Sequence, residues 1–278
     1  MIFCKLLLHG CCITRFFVKM LIMGCLALPA VFARSQDMAV KERDLLSKLQ
    51  RIDYWRSYGD GHFGNSVEDS LEKANRIFQD ALVADASQYS SSIGYPFQLL
   101  KKAGLTIATS SDHRFRIYSW DTWEGGTMHF FRNVDQWVGG DKIYAKAINA
   151  SATDPADPGV FCTPIYTFAT SARTYYLVVN SAMYSTKDDY EGIQAYCIAN
   201  RTLDDSVPIF RTQSGLKSSI GFNFDFFSVV GRPERPMHLI EFDITNKMIR
   251  IPVVLGNGIV TRRWIRYQWT GKYFERIR

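Results

Sequence analysis

Two hydrophobic rhythms divide this chain, and the change falls near Leu105. Before it the apolar positions recur at helical spacing. Met38, Leu45, Leu49 and Ile52 share one stripe, and Val67, Leu71, Ala74, Phe78 and Leu82 share another. Each stripe describes an amphipathic helix with one face toward a core. A shorter helix follows in "YPFQLLKKAG", with Pro96 in its first turn and Gly104 as its stop. After Leu105 short β-branched and aromatic runs alternate with Gly, Asn, Asp and Pro. They include "RFRIYSW", "TMHFFRNV", "VFCTPIYTF", "TYYLVVNSAMY", "GIQAYCIA" and "GIVTRRWIRYQW". Neighbouring runs joined by short turns must pair antiparallel, because parallel pairing needs a long crossover.

The pattern predicts an α+β, mainly β protein. Residues 34–104 form a helical N-terminal segment packed on a large antiparallel β-meander domain, residues 105–278, of sandwich or barrel-like form. Residues 238–277 read as a four-strand meander, with "DITNK", Asn257-Gly258 and Thr270-Gly271 as its turns. The Asn-Gly pair predicts a two-residue hairpin turn with both residues at positive φ. Residues 105–147 and 160–211 make further units of similar length, so propeller-like blades are the alternative.

The first 33 residues carry a different message. Lys5, Arg15 and Lys19 lead an apolar run, "MLIMGCLALPA", and no acidic residue precedes Asp37. The small residues Val31 and Ala33 fit signal-peptidase cleavage, leaving Arg34 as the mature N-terminus. The run is too short for a bilayer core of ~30 Å, so no transmembrane span is expected after cleavage. "IMGC" at Cys25 offers a lipid-anchored alternative, but the apolar segment after it is unlike an acylated N-terminus. The expected location is the periplasm or the exterior. Losing residues 1–33 removes three of the 33 basic residues and none of the 27 acidic ones, a net charge of +3. That is too little for a nucleic-acid partner.

Four of the six cysteines also lie in the leader. Cys162 and Cys197 remain, as one disulfide or as two buried thiols. "GDGHFG" at residues 59–64 matches the spacing of a dinucleotide fingerprint, but no strand precedes it, and a link between helices is the better reading. His62, His113, His129 and His238 form no metal-binding spacing, and no nucleophile elbow occurs. No cofactor and no metal is expected. The acidic stretches around Asp154 and Asp157, and around Asp188, Asp189 and Glu191, read as solvated turns. The basic cluster Arg262, Arg263, Arg266, Lys272, Arg276 and Arg278 reads as a charged outer face.

The densest chemistry lies in "YSWDTWEGGTMHFF", residues 118–131. A strand, a turn at 121–126 and a returning strand from Thr127 account for it as a hairpin. In that reading Trp120 and Trp123 pack into the sheet while Asp121 and Glu124 cap the turn. The functional reading makes Trp123 an exposed platform, with Asp121, Glu124, Trp120 and His129 around it, for a small-molecule, glycan or peptide ligand.

The cadence of "FRIYSWDTWEGGTMHFF", "YYLVV", "IQAYCI", "SSIGFNFDF", "IEFDITNKMIRIPVV" and "RYQWTGKYFERI" resembles a group of exported, β-rich bacterial proteins of no assigned activity. The resemblance implies export and a β-rich fold and carries no site residues. The expectation is an exported, non-enzymatic binding or envelope-associated protein. The alternative is a hydrolase acting on envelope glycans or peptides, with carboxylates brought together by folding.

Overall fold

A computed structural model describes residues 37–58, 65–148, 157–231 and 238–277. The leader, the proposed cleavage site and the "GDGHFG" link lie outside the described residues. Helix α1 covers residues 37–58, and α2 covers Asn65–Gln88. A 3₁₀ turn at Ser90–Gly94 and the short α3, Gln98–Lys102, complete the helical segment. The α1 and α2 stripes are buried as their spacing predicts, and Val67 alone is only half-covered. Glu42 of α1 accepts the backbone N–H of Leu99 at 2.7 Å and the hydroxyl of Tyr95 at 3.1 Å. A buried carboxylate therefore serves as the N-terminal acceptor that α3 lacks in its own sequence.

Three sheets, antiparallel but for one pairing in the third, follow and stack in series. The first is the meander β1 (Thr106–Thr109), β2 (Phe115–Asp121), β3 (Phe131–Gly139) and β4 (Lys142–Ile148), in that order. Its alternation separates two cores. Tyr118, Trp120 and Val134 face the helices, with Phe78 edge-on to Trp120 at 5.1 Å between ring centroids. Phe115 and Ile117 face the opposite way, onto Cys162, Ile165, Tyr176 and Val178 of the second sheet.

That second sheet comprises β5 (Phe161–Ala169), β6 (Thr174–Met183), β7 (Asp188–Ala199) and β11 (Ser219–Asp225), in the order β11-β7-β6-β5. The short β8 (Thr202–Asp204) also pairs with β7. The other face of this sheet carries Phe168, Leu177, Val179, Ile193 and Ala195, and it packs on the third sheet through Phe210, Phe242, Ile249 and Phe274. The third sheet runs β10 (Gly215–Lys217), β9 (Phe210–Thr212), β15 (Phe274–Ile277), β14 (Val260–Trp269), β13 (Met248–Val254) and β12 (Glu241–Asp243). The meander 238–277 is present with the expected strands. Its outer side is charged, with Arg250 paired to Glu241 at 2.8 Å.

The architecture is thus helices on a stack of sheets, with no closed barrel among the described residues. The unit read at 160–211 divides: β5 to β7 stay together, while β9 joins the third sheet by a parallel pairing with β15. The Asn257-Gly258 turn also differs from expectation. Gly258 alone has positive φ, +83°, and its N–H returns to Leu255 O at 2.9 Å. One left-handed glycine closes a slightly longer loop in place of a two-residue turn.

Cys162 and Cys197 are both buried and both free. The disulfide reading fails for a reason of sheet geometry. Cys162 sits in the core facing the first sheet, and Cys197 in the core facing the third. They pair with Asn180 and Tyr175 on β6, five residues apart along the strand, which is about 17 Å at the usual rise per residue. A bridge needs Cα atoms within about 7 Å.

Candidate functional site

The stretch 118–131 is a hairpin, with a longer loop than its sequence suggests. Strand β3 resumes at Phe131, not at Thr127, because the chain leaves β2 to meet another sheet. The last ladder contact is Thr122 N–H to Phe130 O at 2.8 Å, and His129 N–H donates to Met183 O at 3.1 Å. The turn is fixed from within: the Asp121 carboxylate accepts the N–H of Trp123, which sits at φ +58°. Gly125 is required there, since a Cβ would run into Met128 O.

Neither tryptophan of the proposed platform offers a free aromatic face. Trp120 is only 2% exposed, and its indole N–H donates to Asn75 Oδ1 at 3.0 Å. Trp123 is half-buried against the helical core, and the Arg56 guanidinium lies 3.5 Å over its ring. Glu124 is held by Arg132 at 3.3 Å and by the Asn75 amide, and burial raises its pKa against the pull of Arg132. The platform expectation is corrected accordingly: the carboxylates brace the loop, and the indoles pack. His129 is the exception. Its Nδ1 lies 2.5 Å from Asp121, and nearly a third of its side chain stays open.

His129 leads to a place the sequence reading treated as surface. Directly cross-strand residues share one face of a sheet, so the register assembles two adjoining rows on the second sheet. One is Phe161, Ser181, Glu191 and Phe222; the other is His129, Met183, Asp189 and Phe224. They lie on the face that carries Ile193 and Ala195 further along β7. Beyond Ile193 that face bears acids, and a cavity of about 250 Å³ lies over them. Phe161, Ser181, Met183, Asp189, Glu191 and Phe224 line it, together with Phe226, His238 and Leu239.

Its polar groups are few and perturbed. Glu191, 3% exposed, accepts the N–H groups of Leu239 at 2.8 Å and Ile240 at 2.6 Å, both through Oε1. It thereby pins the approach to β12 against β7. Burial pushes Glu191 up to about 7, and the two N–H donors oppose the rise. Asp189 is pushed up to about 6 by burial and by Asp188, with His129 pulling the other way. Burial holds His238 below its ordinary value; its Nδ1 lies 3.5 Å from the Thr163 hydroxyl.

Asp188, Asp189 and Glu191 are therefore strand residues, not members of a solvated turn. A signal for this was present in the sequence: Asp189 and Glu191 continue the parity of Ile193, Ala195 and Cys197. Acids in phase with a buried strand face point inward. Among the described residues no cluster of His, Cys, Asp or Glu is arranged to hold a metal ion, and no helix is long and apolar enough to cross a membrane. The chain matches no protein-family model, no curated protein and no solved structure.

Proposed function

We propose that this is an exported, non-enzymatic binding protein that holds a small ligand in the cavity over Asp189 and Glu191. The observation carrying this reading is the cavity itself: a concave, mainly apolar site with a few converging polar groups whose pKa values are displaced. Such a combination is the usual form of a ligand site. Its volume of about 250 Å³ falls below the ~300–1,000 Å³ of sites for drug-sized molecules, which favours a compact ligand over a polymer. The hydrolase alternative calls for two carboxylates across a cleft, on opposite sides of a scissile bond. Asp189 and Glu191 instead share one face of β7, and Glu191 Oε1 is already engaged by two backbone donors.

Ser181→Phe would place a ring in the cavity from the middle of its floor. A fragment library screened by ligand-observed NMR should yield hits on the wild type that this variant loses, with its circular dichroism unchanged. No hits at all, or hits that bind both proteins equally, would remove the cavity as the binding site. Export carries its own check, a mature N-terminus at Arg34 by mass spectrometry of secreted protein.

A further inference from the structure

Resting on that reading, we infer that the cavity selects small organic cations, of the substituted-ammonium class, over neutral molecules of the same shape. Among the described residues its charged lining is of one sign: Asp189 and Glu191 contribute to the wall, and neither lysine nor arginine does. Phe161, Met183, Phe224 and Phe226 supply an aromatic and aliphatic wall, with Thr163, Ser181, Tyr190 and His238 as its other polar residues.

The carboxylates have acceptor capacity to spare. The Asp189 side chain has no hydrogen-bond or ion-pair partner among the described residues. Glu191 Oε1 takes both backbone donors, while Oε2 takes none among those residues. His129, on the adjoining row, makes its ion pair with Asp121 at 2.5 Å and reaches Asp189 only as a longer-range pull that burial outweighs. His238 is held toward its neutral form by burial and does not compete. Lys187, which could reach over from the start of β7, is turned to Asp225 at 3.6 Å.

A half-buried carboxylate without a counter-charge is costly, and an incoming cation relieves that cost in a way a neutral guest cannot. Phenyl faces add attraction for an ammonium whose charge is spread over alkyl groups. A hydrated metal ion suits this wall poorly, since such ions demand several oxygen ligands.

The probes are choline and its neutral carbon isostere, 3,3-dimethylbutan-1-ol, titrated into the full mature chain. Methyl-labelled methionine reports on Met183 at the cavity floor, and calorimetry gives the affinities. Choline should shift the Met183 signal and bind about tenfold or more tightly than the alcohol, a preference expected of a desolvated ammonium over aromatic rings and acid. Asp189→Asn should abolish most of that preference by weakening choline far more than the alcohol. Binding of the alcohol as tightly as choline, in wild type, would overturn the cation assignment and leave the cavity standing as an apolar site. A Met183 signal that neither probe moves would overturn both. Unchanged choline binding in Asp189→Asn would remove the carboxylate from its part in selection.

Discussion

Asp135, on β3, is buried to 5% exposure between the first and second sheets, beside Cys162 and Tyr196. Burial pushes its carboxyl up to about 7; Asp205 adds to the rise, and Lys146 subtracts from it. The folded protein therefore holds a proton that the unfolded chain releases near 3.8. Where the native state binds more protons than the unfolded one, stability falls as pH rises. The loss begins near the unfolded value, is complete once pH passes the folded value near 7, and does not grow further. Glu191 and Asp189 act in the same direction. Asp135→Asn keeps the shape and removes the titration. It should be more stable than wild type at pH 8, by up to about 4 kcal/mol at 1.36 kcal/mol per pKa unit. Near pH 4 the advantage should vanish. Urea denaturation at the two pH values decides the matter, and an equal difference at both would show that Asp135 is not the titrating group.

At the scale of elements, alternation was legible wherever one strand could be judged alone. It separated Tyr118 and Trp120 from Phe115 and Ile117 correctly, and it placed the strands of the three sheets except the short β8, β9 and β10. What it could not supply is phase between strands, because the sequence holds no register for residues paired across distant segments. The hairpin at 118–131 lengthened because His129 found Met183, some fifty positions away, and no local turn signal announces that contact. The cavity was hidden for the same reason: its two rows exist only after β5, β6, β7 and β11 come into register. The cysteines show the cost most plainly, since each is a buried strand residue and only pairing reveals that they face opposite cores. Both thiols should therefore be unreactive in the native protein and both should titrate with a thiol reagent after denaturation without reductant. Burial also raises both thiols' pKa values, which suppresses the reactive thiolate. Fewer than two reactive thiols in the denatured, unreduced chain would show that the sheets pack differently from this account.

For the whole molecule, the stack of layers governs what can be removed. The change of rhythm at Leu105 marks a boundary of secondary structure, but the first core crosses it. Phe78, Leu82, Phe97 and Leu100 from the helical side meet Tyr118, Trp120 and Val134 from the first sheet. Polar ties cross as well: Arg116 donates to Ser92 O and Tyr95 O at 2.7 Å, and Gln136 donates to Ala86 O at 2.7 Å. Deleting the helices would expose a broad apolar face of the first sheet and leave Arg116 and Gln136 without those acceptors. Exposed apolar patches of that kind drive association, and buried polar groups stripped of partners cost about 1–3 kcal/mol each. The second and third sheets do not share that face, since their own core lies one layer away. The residues 105–278 expressed alone should consequently aggregate or bind a hydrophobic dye strongly, while the chain from Arg34 onward stays monomeric and unfolds in one transition. A soluble, monomeric 105–278 fragment with the thermal midpoint of the longer chain would mean that the helices are an ornament on an independent β domain, and not its fourth layer.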